Sequence, residues 1–140
     1  MTSSTVHRTS EHPAADPAIA AAHFAARLSV ETDPADLHTD LAAGAAIVLV
    51  DARAPDAFAA GHLPGAINVP HATIDAATTA DLPRDRLVVV YCAGPACNAS
   101  TKGAAKLAAL GFPVKELIGG VEYWQRYGYP LELTPPPAAP

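Results

Sequence analysis

Two thiols, Cys92 and Cys97, stand five residues apart in the segment Cys92-Ala93-Gly94-Pro95-Ala96-Cys97-Asn98-Ala99-Ser100-Thr101. They are the only cysteines of the 140-residue chain. A thiolate is a strong nucleophile, so the surroundings of each sulfur decide what it can do. The segment follows the apolar run Leu87–Tyr91 and precedes an alanine-rich helical pattern. Gly94 and Pro95 bend the backbone, and small residues let the loop curl with its N–H groups inward as an anion-binding nest. The helix start behind it adds partial positive charge. A thiol held there is expected to have a lowered pKa. Cys92 is therefore the candidate nucleophile, and Ala93, Gly94, Pro95, Ala96, Cys97, Asn98 and Ala99 are the candidate substrate-binding loop. A plainer reading makes Cys92 a small buried hydrophobe at a strand end. Position alone leaves the two readings level.

The elements that must position this loop follow from periodicity and punctuation. Ala46–Val50 and Leu87–Tyr91 are continuous apolar runs rich in β-branched residues, too short for helices, and read as buried strands. Strands apolar on both faces belong to parallel sheets covered by helices. Shorter strands are expected at Leu28–Thr32, Ala66–Val69 and Val114–Ile118. Asp16-Pro17 and Asp33-Pro34 each place a capping residue before a proline at the first helical position. They open helices to about Leu28, with Ile19, His23, Phe24 and Leu28 on one face, and to Gly44. Further helices are expected at Pro55–Ala60, from a Ser100 or Thr101 cap to Gly111, and after Gly119-Gly120 through Tyr123, Trp124 and Tyr127; Ile74–Leu82 reads as mixed helix and loop. Alternating strands and helices imply an α/β fold whose ligands bind beyond the carboxyl ends of the strands, where Cys92 lies.

Composition narrows the function. A chain of this length forms one domain able to bury about 68% of its unfolded surface. A net charge of −5 argues against nucleic acid as a partner and against a polybasic membrane anchor. No apolar stretch approaches the roughly 20 residues that span a bilayer, and the first 15 residues lack a signal-peptide apolar region. Two cysteines are too few for a disulfide framework or a cysteine-only zinc site. His7, His12, His23 and His38 have no metal-ligand spacing, and no nucleotide-binding glycine motif follows a strand. The expectation is a cytoplasmic enzyme or small binding domain without metal or cofactor.

Two blocks of sequence carry a resemblance. Val50-Asp51-Ala52-Arg53, Phe58 and Gly61-His62-Leu63-Pro64-Gly65-Ala66-Ile67-Asn68-Val69-Pro70 form the first. The second is Val88-Val89-Val90-Tyr91-Cys92, the small-residue loop, Leu110-Gly111-Phe112, Gly119-Gly120-Val121 and Trp124. In order and spacing they resemble rhodanese-like domains across roughly Leu28 to Glu132. The resemblance implies a three-layer α/β/α sandwich with a central five-stranded parallel sheet. It further implies a sulfurtransferase in which Cys92 takes sulfane sulfur from a donor such as thiosulfate or a persulfide, carries it as a persulfide, and passes it to cyanide or a thiol. A sulfur-relay protein is a further partner this implies. The chain then divides into a disordered tail (residues 1–15), a helical extension (16–28), the rhodanese-like domain (28–132) and a proline-rich tail (133–140).

Two departures qualify the resemblance. Many rhodaneses carry Arg or Lys in the loop, whereas here the nearest cation is Lys102, so weak thiosulfate binding is expected. The loop is also about two residues longer than the common spacing. That moves it toward phosphatases of the same fold, which need an Arg six residues after the cysteine to bind phosphate. Asn98 stands there, which argues against a phosphatase. Cys97 reads either as a passive small residue or as a redox partner that attacks an oxidised or persulfidated Cys92. The competing function is accordingly a non-catalytic rhodanese module, a redox sensor or partner-binding domain acting through Cys92 and Cys97.

Outside the loop, Arg53 is expected to pair with Asp51 or Asp56, His62 to satisfy backbone groups in its turn, and Trp124 to pack in the core. Gly119-Gly120 is expected to allow close backbone approach beside the Cys92 loop.

Overall fold

The computed structural model describes Thr5 and residues 7–134. The helices are α1 (Pro17–Val30), α2 (Pro34–Ala42), α3 (Pro55–Ala60), α4 (Ala99–Ala109) and α5 (Gly120–Arg126). The strands are β1 (Glu31–Thr32), β2 (Val48–Asp51), β3 (Ile67–Asn68), β4 (Val88–Tyr91) and β5 (Val114–Leu117). All pairings are parallel, in the order β1-β5-β4-β2-β3. The five-stranded parallel sheet expected from the resemblance is therefore present. Among the described residues no helix is long and apolar enough to cross a membrane.

The two faces of the sheet follow from the two-residue period of a strand. In β4, Val89 and Tyr91 join Leu49, Leu37 of α2 and Val121 and Trp124 of α5 on one side. Val88 and Val90 join Val50, Leu107 of α4 and Phe112 on the other. All four β4 residues are fully buried, which is why the run lacks alternating polarity. The chain leaves β2 toward β3 on one side and leaves β4 toward β5 on the other, so the strand order reverses between β2 and β4. Ligands of open α/β sheets lie at such a point, beyond the carboxyl ends of the strands. Asp51 ends one of the two strands and Tyr91-Cys92 the other.

Several expected boundaries move. Leu28–Val30 continue α1 instead of opening a strand, and β1 is only Glu31–Thr32. Arg27 reaches Glu31 at 3.3 Å across one helical turn, and Lys115 Nζ donates to Leu28 O at 3.0 Å, which favours the longer helix. No residue of α1 is buried; Ile19, Phe24 and Leu28 are all more than half exposed. Ile74–Leu82 is a series of turns without helix, and a single 3₁₀ turn, His71–Thr73, precedes it. The expected Ser100 or Thr101 cap is also corrected: α4 starts at Ala99, after Asn98, and has no side-chain cap.

At the amino end, Arg8–Ser10 form one 3₁₀ turn without a buried residue. The residues of the expected disordered tail at positions 1–4 and 6 lie outside the described residues, as do residues 135–140 of the proline-rich tail. The beginning of that tail is bonded to the domain: Thr134 N donates to Ala59 O at 3.2 Å. Just before it, His62 and Glu132 exchange backbone bonds of 2.9 and 2.8 Å, and Trp124 Nε1 donates to Pro130 O at 2.9 Å.

Candidate active site

Cys92 sits one residue beyond β4, buried to 1% exposure. The backbone of the following loop rests on the start of α5: Val121 N donates to Cys92 O at 3.0 Å and Glu122 N to Ala93 O at 2.9 Å. Gly120 permits this docking. Its φ of +57° lies in the left-handed region, and a Cβ there would overlap the Cys92 carbonyl oxygen and press on Gly94 N. The close approach expected of Gly119-Gly120 is thus realised.

Three groups surround the Cys92 sulfur. Its thiol faces Cys97 O at 3.0 Å and, more distantly, Gly94 O at 3.8 Å. Ser100 Oγ lies 3.4 Å away and is itself 2% exposed. Ser100 donates to Glu116 Oε1 at 2.8 Å, and Thr101 Oγ1 donates to the same oxygen at 2.8 Å. These two hydroxyls, expected to cap α4, instead hold a carboxylate of β5. Glu116 and Ser100 are functional candidates that sequence reasoning missed. The one available signal was the Lys115-Glu116 pair inside an otherwise apolar strand, which betrays a half-buried polar side.

The electrostatics overturn the expected activation of Cys92. Burial pushes its thiol up; the hydroxyl and amide of Ser100 oppose the rise, and proximity to Cys97 adds to it. The carbonyl oxygens of Gly94 and Cys97 face the sulfur, and a carbonyl welcomes a proton donor, not a thiolate. Cys97 is half-buried and behaves oppositely. Burial would raise it too, but the Ala99 amide, the Cys92 thiol, the Ala93 amide and the charge of Lys102 together hold it below the ordinary thiol range. Amide stabilisation, expected at Cys92, thus acts on both thiols and lowers only Cys97.

In front of the loop lies an open bowl of about 520 Å³ lined by Ala93, Gly94, Pro95, Ala96, Cys97 and Glu122. Five of the expected loop residues border it; Asn98 and Ala99 do not: Asn98 precedes α4 and Ala99 begins it. No basic side chain lines the bowl. Glu122 bends over Gly94, whose Cβ position would lie 2.6 Å from its Oε2, and pairs with Arg126 at 3.0 Å. A smaller groove of about 330 Å³, walled by Pro34, Pro95, Ile118, Tyr123 and Tyr127 among others, shares Pro95 with it.

The remaining candidates are structural. Arg53 forks onto buried Asp51 through Nε (3.0 Å) and Nη2 (2.7 Å), and Nη2 also donates to Gly61 O at 2.6 Å. Its partner is Asp51, of the two carboxylates considered. His62 stacks on Phe58 at 3.8 Å with Nδ1 2.8 Å from Phe58 O. Trp124 is 1% exposed in the core, as expected.

Known proteins resemble this chain in sequence and in fold. The sequence profile of the Rhodanese-like domain matches residues 33–127. The chain is 43% identical over 89 residues to a thiosulfate sulfurtransferase of Pseudomonas putida, covering 62% of this chain and 76% of that protein. It is 37% identical over 90 residues to an HTH-type transcriptional regulator of Mycobacterium tuberculosis, covering 64% of this chain and only 39% of the regulator. The crystal structure of a protein from Bacillus halodurans superposes with a TM-score of 0.82 at 46% identity, covering 85% of this chain and 88% of that one. With the profile matched over most of its length and the fold shared, this chain belongs to the rhodanese-like domain family.

Proposed function

We propose that this protein is a sulfurtransferase that moves sulfane sulfur through a persulfide on Cys92. The single observation that carries the reading is the placement of Cys92: a thiol at the end of the central strand, where the strand order reverses, behind an open bowl. Family membership and a relative named thiosulfate sulfurtransferase support it.

In the proposed reaction the Cys92 thiolate attacks the outer sulfur of the donor. The Sγ–S bond forms, the donor's S–S bond breaks, and the leaving group departs with the electron pair: sulfite from thiosulfate, or a thiolate from a persulfide. An acceptor thiolate or cyanide then attacks the outer sulfur, and Cys92 leaves as thiolate. Ser100 is placed to support the charged forms. Thr101 alone can hold Glu116, which frees the Ser100 proton to turn toward the Cys92 sulfur. A bowl without a cation and edged by Glu122 suits a persulfide donor, bearing one charge at most on its sulfur, better than dianionic thiosulfate. We place this chemistry in the cytoplasm, where thiols stay reduced.

The competing reading, a redox or partner-binding module, draws on the raised Cys92 thiol. Mass spectrometry after incubation with thiosulfate, and separately with glutathione persulfide, separates the two. One added sulfur on Cys92, removable by cyanide and absent from Cys92→Ser, is expected. No added sulfur from either donor, in the wild type and in Cys97→Ser alike, would overturn the sulfurtransferase reading.

A further inference from the structure

Cys97 is placed for more than filling space. It borders the bowl, whereas Cys92 lies behind it at 1% exposure. Cys97 N is tied to Gly94 O at 3.1 Å, and its carbonyl touches the Cys92 sulfur at 3.0 Å, so the loop folds the two cysteines back on each other. The Ala99 and Ala93 amides and the charge of Lys102 hold the Cys97 thiol below the ordinary thiol range, whereas burial pushes the Cys92 thiol up. The site thus holds two sulfurs, one sequestered and one half-buried at the border of the bowl.

We propose that Cys97 is a resolving thiol, which converts the Cys92 persulfide into a Cys92–Cys97 disulfide and releases the carried sulfur as hydrosulfide. This rests on the sulfurtransferase reading, because it needs sulfur on Cys92 first. The Cys97 thiolate attacks Cys92 Sγ, and the new Sγ–Sγ bond forms as the bond to the outer sulfur breaks. The outer sulfur leaves with the bonding electron pair and keeps the persulfide's proton, departing as HS⁻. The two cysteine sulfurs are oxidised by two electrons in total, and the sulfane sulfur is reduced by the same two. Resetting the loop then requires an external thiol or dithiol reductant, which opens the disulfide by exchange. The protein then acts as a sulfide-releasing persulfide reductase whenever no acceptor takes the sulfur first. Hydrosulfide is a good leaving group near neutral pH, and a thiol held below the ordinary range supplies the attacking thiolate.

The test uses the full reduced chain under anaerobic conditions. It is loaded with glutathione persulfide, freed of excess donor, and left without acceptor. Hydrosulfide is measured alongside non-reducing peptide mass spectrometry. The wild type is expected to release close to one hydrosulfide per loaded chain and to acquire the Cys92–Cys97 link. Cys97→Ser and Cys97→Ala are expected to keep the added sulfur on Cys92 and to release at least tenfold less. A wild type that stably retains its persulfide without the link overturns the proposal and leaves the carrier reading intact. A link formed without hydrosulfide reduces Cys97 to an oxidation partner and also overturns it. Failure of both wild type and Cys97 variants to gain sulfur overturns the carrier reading and this proposal together.

Discussion

Ser100 Oγ lies 3.4 Å from Cys92 Sγ while donating to Glu116, so one hydroxyl links the buried thiol to the carboxylate of β5. The thiol is raised by burial and restrained by this hydroxyl. The reactive thiolate therefore becomes more abundant as pH rises toward the displaced pKa. Ser100→Ala should displace the rising limb of the pH–rate profile for sulfur loading to higher pH. It should slow loading at neutral pH about fivefold, the equivalent of roughly 1 kcal/mol for one hydrogen bond. A profile that does not move would remove Ser100 from the chemistry.

Glu122 stands over the bowl paired with Arg126. Glu122→Gln removes a negative charge from the rim and releases the guanidinium. The KM for thiosulfate is expected to fall several-fold at low ionic strength, with the gain shrinking as salt screens it. A donor of lower charge should respond less. Steady-state kinetics at two salt concentrations decide this, and an unchanged KM would place thiosulfate elsewhere.

Gly120 and Gly44 both have positive φ, +57° and +80°, but only Gly120 is crowded. Gly44→Ala meets no atom within 4 Å and should cost only backbone strain, about 1 kcal/mol. Gly120→Ala adds a clash with the Cys92 loop and should cost roughly 2 kcal/mol or more, together with much of the sulfur loading. Urea denaturation of the two variants checks the order.

Arg53 neutralises Asp51, which is fully buried. Arg53→Met leaves that carboxylate without its guanidinium and is expected to cost about 3 kcal/mol in urea unfolding. Sulfur loading measured on the folded fraction should persist, because Arg53 does not line the bowl.

The parts of the fold legible in the sequence are those fixed by local chemistry. α3 spans the residues expected of it, and Asp33 accepts from Asp36 N at 2.8 Å as its cap signal implied. β2 and β4 were readable because strands buried on both faces need unbroken apolar runs. What stayed hidden was set by neighbours distant in sequence. Ser100 and Thr101 look like caps until Glu116 arrives from β5 and takes both hydroxyls. Likewise, the composition of the Cys92 loop announces a tight turn. It does not say whether amides or carbonyls turn inward, and the docking of α5 decides that. The expectation of a lowered Cys92 pKa failed on this point.

Both borders of the sheet, β1 and β3, are two residues long. Each leaves too few unpaired backbone groups to template a strand from another molecule, the hazard that open sheet edges carry. Among the described residues the longer strands, β2, β4 and β5, are interior and already paired on both sides. Such a domain resists edge-to-edge aggregation at high concentration, and it can be joined to other folded units without offering them a strand to capture.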